Sequence, residues 1–328
     1  MLGMLTAHLT AIEAFDWGRT STWIDIVNGR SSILFATLAG VSIALVSGSE
    51  APVGHGRLRA ARGRLAVRAA MLWLIGIALI VTAVPVYVIL PAYAILFLLA
   101  LPLLSLRAGA LWSIAGASAI VMPWLQPAIE ALPVWRSAAG ADLSLVLGWH
   151  YPFTVWFTFI VAGLAAGRSD LRRIRTQVAL LGGGALAAIV AYGLDALPGM
   201  SRAVDSTVWT SEAHSSGLLE VIGSGGFALA VLGGCLLLCR TPASAWMLPI
   251  RAVGAMPLSA YVAQLVVWAV LASVLIGDVS DLSGFRAIEP LVPFIIGSVV
   301  GCTAWALLLG RGPLERMLSW VSRRVVHE

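Results

Sequence analysis

The chain has 328 residues, of which 59% are hydrophobic and only 11% are charged, and its formal net charge is +5. A soluble domain usually carries about 25% charged residues, so this composition excludes a protein whose whole surface faces water. The basic residues are all arginine and gather between apolar segments, which indicates membrane topology and excludes a nucleic-acid partner.

Ten apolar segments follow one another along the chain, and repeated apolar stretches of this kind indicate transmembrane helices in a lipid bilayer. At 1.5 Å per residue the first segment is short for a full span, so we expect a first helix truncated at the N-terminus, with the true start upstream. The predicted fold is all-α, a polytopic transmembrane helical bundle of about ten spans that forms a single domain over residues 1–310. The segments are residues 1–15, 31–48, 67–84, 86–105, 110–132, 152–167, 177–194, 217–238, 253–276 and 289–310.

The arginines predict the orientation of these spans. Sixteen of the 21 arginines lie in alternate connections, chiefly in residues 49–68 and 168–175, or in the tail. Cytoplasmic loops are enriched in basic residues, so the alternation predicts that both termini are cytoplasmic and that the protein lies in a bacterial inner membrane. The tail, residues 311–328, has apolar and charged positions at helical spacing, which predicts a cytoplasmic amphipathic helix on the inner leaflet.

Cysteines and glycines inside the apolar segments indicate packing rather than chemistry. Cys235, Cys239 and Cys302 have no histidine or carboxylate at metal-ligand spacing, so we interpret them as small buried hydrophobic residues and predict neither a metal site nor a bound cofactor. The glycine-rich stretches predict close approach between helices. These stretches are LLGGGALAA, VIGSGGFALAVLGG and IIGSVVG.

Histidines near or inside apolar segments are candidate catalytic residues, because ionisable side chains are costly in a bilayer. His8 lies in the first segment and is a candidate general base; the alternative is a hydrogen-bonded structural histidine. His214 precedes the segment 217–238, and Glu220 follows it by six residues. Glu220 is a candidate to orient His214 and to raise its basicity.

A second polar group stands at the start of the segment 31–48, where the sequence reads DIVNGRSS. Arg30 is a candidate to hold an anionic or carbonyl-bearing group, with Asn28 as a hydrogen-bond donor. The alternative is a capped helix whose Arg30 reaches the membrane interface. We predict that Asp25, Asn28 and Arg30 form one wall of a polar pocket and that His8 and His214 contribute other walls.

Five blocks follow one another in the sequence: GMLTAH, NGRSSILFATLAGVSIAL, GWHYPFTVWFTFIVAGLAAGRSDL, EAHSSGLLEVIGSGGFALAVLGGCLLL and VGAMPLSAYVAQLV. In the same order, they resemble the blocks of uncharacterised-domain family 418, the YeiB-like integral membrane proteins. Family members have a stretch resembling D..RG.A..GM...H, of which this chain begins at the GM and keeps His8. A histidine is common in the family where Gln264 stands, whereas Tyr261 and Ser259 match, so Tyr261 and Gln264 are further candidate substrate-binding residues.

This family is distantly similar to multi-helix membrane acyltransferases such as the heparan glucosaminide N-acetyltransferases. The similarity implies transfer of an acyl group from cytoplasmic acyl-CoA, the co-substrate, to an envelope glycan, lipid or small-molecule acceptor. His8 or His214 would be the base, Arg30 and Asn28 would stabilise the oxyanion, and the arginine-rich loops would receive the phosphates of CoA. The histidine that the heparan enzymes carry after their first helix has no counterpart here, because no histidine lies between His8 and His55.

The alternative function is a transporter or binding protein for a small lipophilic or anionic metabolite, with the same residues as a passive polar pocket. The two functions differ in the cavity that they require. One continuous cavity from the arginines to His8, Arg30 and His214 favours the acyltransferase. An outward pocket alone counts against the use of acyl-CoA.

Overall fold

The computed structural model describes residues 1–16, 18–197 and 207–326, and within these ranges the regular structure is helical, with no strand. The prediction of an all-α fold is therefore confirmed. Numbered along the chain, the α-helices of these ranges are α1 (Leu2–Leu9), α2 (Arg30–Val46), α3 (His55–Ile80), α4 (Leu90–Ala100), α5 (Ala108–Glu130), α6 (Ala138–Leu147), α7 (Phe153–Arg168), α8 (Ile174–Asp195), α9 (Leu218–Leu238), α10 (Leu248–Ala255), α11 (Pro257–Leu275), α12 (Leu282–Ala287), α13 (Leu291–Leu308) and α14 (Pro313–Val325).

Seven helical stretches in the described residues are long and apolar enough to cross a membrane. They are α3, α5, α8, α9, α11, α13 and the stretch Thr20–Val46, in which a 3₁₀-helix (Thr20–Val27) leads into α2. Their outward faces are apolar, and Leu308 on α13 is 80% exposed. Such a surface is stable only in lipid, so the protein is a multi-pass membrane protein.

Each of the ten predicted segments contains a helix, but three of these helices are short. The eight residues of α1 rise only about 12 Å, well below the roughly 30 Å of a bilayer core. The other two are α4 and α7, of 11 and 16 residues. The count of ten spans and the cytoplasmic position of both termini stay predictions.

Two predicted connections are helical in the structure. Helix α3 begins at His55, twelve residues before the predicted segment, because Leu58, Leu65 and Leu72 recur at a seven-residue spacing and bury one face of the arginine-rich stretch. Residues 138–147, predicted as part of a loop, form α6, which Ser137 caps by accepting a hydrogen bond from the Gly140 amide. Hydropathy does not predict these two helices, because the start of α3 is rich in charged residues and α6 is rich in small ones.

Glycines let two pairs of helices meet at backbone distance. Helix α2 packs on α7, where a side chain on Gly40 or Gly163 would collide with a main-chain carbonyl of the facing helix. Helix α9 packs on α8 in the same way at Gly184 and Gly226. The glycines of IIGSVVG behave differently, because nothing described lies within 4 Å of a Cβ placed on either of them.

The interpretation of the cysteines is correct for one of the three. Cys302 is buried, whereas Cys235 and Cys239 are exposed on the outward side of α9. They are small apolar residues that face lipid, because the four-residue spacing that keeps them on one helix face turns that face away from α8.

Arg168, which belongs to the arginine-rich connection after the sixth predicted span, is buried rather than solvated. Its guanidinium donates hydrogen bonds to the carbonyls of Ser49 at 2.7 Å, Leu104 at 2.9 Å and Ser47 at 3.2 Å. It thereby satisfies carbonyls near the ends of α2 and α4 and ties these helix ends to α7.

The tail helix α14 closes the helical domain at the arginine-rich end. The carboxylate of Glu315 accepts hydrogen bonds from the amides of Leu258 at 2.8 Å and Ser259 at 3.1 Å, and from the Ser259 hydroxyl. These amides are among those that the first turn of α11 leaves without a helical partner. Helix α14 also packs against α3.

Candidate functional site

Three histidines from distant parts of the chain line one cavity of about 170 Å³, the histidine cavity. His8 comes from α1, His150 follows α6, and His214 precedes α9. Asn28, just before α2, and Arg286, in the last turn of α12, line the same cavity. The structure therefore brings His8, His214 and Asn28 together, as the sequence predicts.

Ring packing holds two of the three imidazoles, those of His150 and His214. His150 stacks on Tyr87 with 3.6 Å between ring centroids, and the His214 ring lies 5.4 Å from that of His150 and 5.8 Å from that of Tyr151. The Nδ1 atoms of His8 and His214 are buried and have no hydrogen-bond partner among the described residues. Buried polar atoms of this kind need a partner, and a ligand in the cavity would supply it.

Burial sets the charge of the histidines outside the membrane-spanning segments. Burial, and to a smaller extent the positive charge that His150 carries when protonated, together lower the pKa of His214 to about 4. Burial also lowers the pKa of His150. His214 is therefore a neutral imidazole at pH 7, able to accept a proton or a hydrogen bond.

Glu220 supports His214, but not through the imidazole as predicted. Its carboxylate accepts hydrogen bonds from the backbone amides of His214 at 2.6 Å and Ser216 at 2.7 Å, and from the Ser215 hydroxyl at 3.3 Å. Helix α9 begins at Leu218, so Glu220 lies in the first turn and reaches back to the loop rather than deeper into the bundle. It positions the backbone of His214 and does not raise the basicity of the ring.

The group Asp25, Asn28 and Arg30 is connected, but only Asn28 reaches the histidine cavity. The Asp25 carboxylate accepts a hydrogen bond from the Asn28 amide at 3.1 Å, and the Asp25 carbonyl accepts one from Arg30 at 3.1 Å. Arg30 also donates to the Tyr192 hydroxyl at 2.8 Å and lies 4.6 Å from the centre of the Tyr192 ring. Arg30 therefore braces α2 against α8, and the cation at the cavity wall is Arg286.

Tyr261 and Gln264 lie on α11, outside the histidine cavity. The Tyr261 hydroxyl accepts a hydrogen bond from the Ile89 amide at 3.4 Å, and both side chains are buried. Ile89 follows Tyr87 by two residues, so Tyr261 supports the segment that carries one cavity wall. The geometry gives Gln264 no contact with the cavity.

Four residues of the site were not singled out from the sequence, namely Tyr87, Glu130, His150 and Arg286. His150 lies in the matching block GWHYPF, directly before a buried tyrosine, and this was the available signal. A neighbouring cavity of about 350 Å³ is lined by Tyr87, His150 and His214 as well as by Glu130. The two cavities share the His150 and His214 rings as a common wall.

No group of three or more histidines, cysteines or carboxylates in the described residues has metal-binding geometry. The candidate chemistry of the histidine cavity is therefore that of its imidazoles and of the two hydrogen-bond donors Asn28 and Arg286.

A second cavity of about 550 Å³, the arginine cavity, lies at the other end of α2 and α3. Val46 at the end of α2 lines it, whereas Ser32 near the start of α2 lines the histidine cavity. The 14-residue separation corresponds to about 21 Å along the helix. The two cavities have no described lining residue in common, so within the described residues they are separate and do not form the continuous cavity considered above. The arginines that line this cavity are Arg57, Arg64, Arg68, Arg311 and Arg323.

Residues 167–325 match a family model described as "Protein of unknown function (DUF418)". This match agrees with the resemblance drawn from the sequence blocks. No curated protein and no solved structure matches the chain.

Proposed function

We propose that this chain, a multi-pass membrane protein whose residues 167–325 belong to the DUF418 family, is an acyltransferase that acts at the histidine cavity. The observation that carries the proposal is the convergence of His8, His150 and His214 on one small cavity beside two hydrogen-bond donors. The arginine bias of alternate connections supports a bacterial inner membrane, with the histidine cavity toward the outer face.

His214 or His8 acts as the general base. The neutral imidazole accepts the proton of an acceptor hydroxyl or amine, whose oxygen or nitrogen forms a bond to the carbonyl carbon of the acyl thioester. The carbon–sulfur bond breaks, and the departing thiolate of CoA takes up the proton. Asn28 and Arg286 are the donors that face the developing oxyanion, so Arg286 takes the role that the sequence suggested for Arg30.

The donor, acyl-CoA, carries phosphates that suit the arginine-rich face, whereas the base lies at the opposite end of α2. Because the two cavities have no lining residue in common, an acyl group that enters at the arginines reaches the histidines only when the helices between them separate. We expect this opening to involve α2 and α3, which run between the two cavities. The acceptor, an envelope glycan, lipid or small molecule, enters from the outer face.

The separation of the cavities counts against the use of acyl-CoA and favours a second function, a transporter or binding protein for a small lipophilic or anionic metabolite. A transporter keeps its binding site closed to one side of the membrane at a time. In that case the unpartnered imidazole nitrogens bind the metabolite and no covalent bond changes.

The two functions are separated by a transfer assay on the purified full chain in proteoliposomes, with radiolabelled acetyl-CoA as donor and glucosamine and glycerol as acceptors. We expect labelled product from the parent and roughly a hundredfold less from His8→Ala or His214→Ala, whichever is the base. His55→Ala is the control, because His55 begins α3 far from the histidine cavity.

Product formation that is equal in all three variants would show that the histidine assignment is wrong. Absence of labelled product from the parent with both acceptors would count against acyl transfer. Accumulation of labelled acetyl-CoA inside the vesicles, without product, would instead support transport.

A further inference from the structure

We propose that the arginine cavity is a binding site for the phosphate group of an amphiphilic phosphate ester, the chemistry of an anionic phospholipid headgroup. The site does not depend on acyl transfer: it follows from the charge, burial and shape of the cavity alone. Three of its arginines come from α3, and the other two come from the C-terminal segment that begins after α13.

The arginines of α3 form one line along the helix. Arg57, Arg64 and Arg68 are seven and four residues apart, so their side chains project from one face. Ala60 and Ala61 lie between them on the cavity wall, and their small side chains leave the space into which the guanidiniums project. Helix α14 faces this line and contributes Arg323.

Arg68 is a half-buried residue in the middle of α3. It is the fourteenth residue of the 26-residue helix, about 20 Å from the helix start. Its Nε atom is buried and has no hydrogen-bond partner among the described residues. A guanidinium at this depth is costly unless an anion or a set of acceptors meets it.

The described residues supply no such anion. None of the described residues that line the cavity is acidic, and the guanidiniums of Arg57, Arg68, Arg311 and Arg323 form no ion pair with a described residue. The like charges around this cavity repel each other, and a bound phosphate would offset this repulsion by attracting all of them. Guanidinium groups also match the oxygens of a phosphate in geometry.

The remaining walls indicate what the phosphate is attached to. Val46, Val53 and Leu65 make part of the lining apolar, and Ser319 and Ser322 are the hydroxyl-bearing residues. A free phosphate ion gains nothing from an apolar wall, whereas a phosphate ester with a hydrocarbon part contacts both the arginines and the apolar wall. The cavity therefore fits an amphiphile, with its phosphate at the arginines.

The test compares two neighbouring arginines of α14 in the purified full chain. Arg323 lines the cavity, whereas the Arg324 guanidinium lies over the Trp320 ring, 5.5 Å from its centre. Arg323→Gln and Arg324→Gln remove the same charge from the same helix end, so they share any diffuse electrostatic effect. Native mass spectrometry and calorimetric titration in detergent give the Kd of short-chain phosphatidylglycerol, of diacylglycerol with the same chains, of inorganic phosphate and of CoA.

We expect phosphatidylglycerol to bind more tightly than diacylglycerol, and Arg323→Gln to weaken this binding about tenfold while Arg324→Gln leaves it within about twofold. Arg68→Gln gives a second reading from α3, and helical circular dichroism shows that each variant is folded. Binding of inorganic phosphate or CoA in competition with phosphatidylglycerol would assign the same site to soluble phosphates.

The proposal is wrong if no phosphate-bearing probe binds more tightly than diacylglycerol, or if Arg323→Gln and Arg324→Gln weaken binding equally. If the transfer assay gives no product but phosphatidylglycerol binds as expected, the proposed acyltransferase activity is wrong and the proposed phosphate site stands. If acyl transfer is observed but phosphatidylglycerol does not bind, only the proposed phosphate site is wrong.

Discussion

His214 adopts a backbone conformation that residues other than glycine rarely adopt. Its φ is 65°, and that of Ser216 is 60°, so two residues of one short loop lie in the left-handed region. Each such residue costs on the order of 1 kcal/mol unless its surroundings stabilise it. Glu220 supplies that stabilisation through both loop amides, which fixes where the imidazole enters the histidine cavity.

Replacing Glu220 by glutamine should release this loop. An amide side chain places an NH₂ group against one of the two backbone donors, so a buried N–H loses its acceptor, at a cost of about 1–3 kcal/mol in the free energy of unfolding. Thermal unfolding in detergent measures the effect. Glu212→Gln is the matched control, because Glu212 is exposed. Equal midpoints for the two variants would contradict the role given to Glu220.

Acid should destabilise the fold through His214. Its pKa is about 4 in the folded protein against an ordinary value of 6.5, so between these values the unfolded chain binds a proton that the folded chain excludes. The free energy of unfolding therefore falls as the pH drops from 6.5 to 4, by up to about 3 kcal/mol.

The comparison that checks this pH dependence is His214→Gln against the parent, unfolded by heat at intervals across that range. The variant lacks the titrating ring, so its midpoint should fall less steeply with acid than that of the parent. His150, whose pKa burial also lowers, contributes to the slope that remains. Parallel curves for parent and variant would refute the assignment of the slope to His214.

At the residue scale, the sequence predicts three of the polar side chains that meet in the histidine cavity, but neither the others nor how they meet. His8, His214 and Asn28 share a cavity because polar and ionisable groups inside a bilayer avoid lipid, and this reasoning requires no structure. The sequence favours Arg30 because it opens a long apolar segment, whereas in the structure Arg286 of α12 lines the cavity. The Arg286 guanidinium donates to the His8 carbonyl at 2.9 Å, a contact 278 residues apart in sequence.

Contacts between helices depend on small residues at a few crossings. Gly163 on α7 faces the main chain of α2 at Thr37, and Gly40 on α2 faces that of α7, so the two helices meet backbone to backbone. This crossing fixes α2, which carries Asn28 at its start. In a membrane, where apolar side chains gain little by leaving lipid, such close van der Waals contact is a main source of helix association.

Alanine substitutions should therefore act in opposite directions at two glycines. Gly163→Ala places a methyl group against the Thr37 carbonyl and should destabilise the protein by about 1–3 kcal/mol, the usual cost of overpacking. Gly182→Ala on α8 meets nothing within 4 Å and should be neutral or stabilising by up to about 1 kcal/mol, since alanine is the better helix former. Thermal midpoints in detergent check both. A lower midpoint for Gly182→Ala than for Gly163→Ala would contradict the packing described.

Helix positions could be predicted from hydropathy, and helix ends could not. The ten apolar segments each contain a helix because a long apolar stretch in lipid must satisfy its own backbone. Hydropathy does not predict the start of α3, because five of its first 14 residues are arginines. A search for apolar segments assigns such a charged stretch to a loop. Their common face becomes visible only when the spacing of Arg57, Arg64 and Arg68 is compared with a helical period.

At the scale of the whole molecule, polar groups concentrate at the two ends of the bundle. Histidines meet at one end and arginines at the other, with apolar helix surfaces between them. The distribution of arginine predicts that the arginine cavity faces the cytoplasm.

Cysteine labelling in intact cells checks this orientation. In a background with Cys235, Cys239 and Cys302 replaced by serine, Ser280→Cys lies in the connection between α11 and α12 and should react with a membrane-impermeant maleimide. Ser244→Cys, between α9 and α10, should react only after the membrane is permeabilised. The reverse pattern would place both termini outside.

The contact between Glu315 and the start of α11 has a consequence for biosynthesis. Glu315 follows Ser259 by 56 residues, so the amides of Leu258 and Ser259 enter the membrane before their acceptor has been translated. The same helix that brings this acceptor also brings Arg323 against α3. One late docking event therefore ends the exposure of the two amides and completes the arginine cavity, and a nascent chain stalled before it would possess neither the hydrogen bonds nor the cavity.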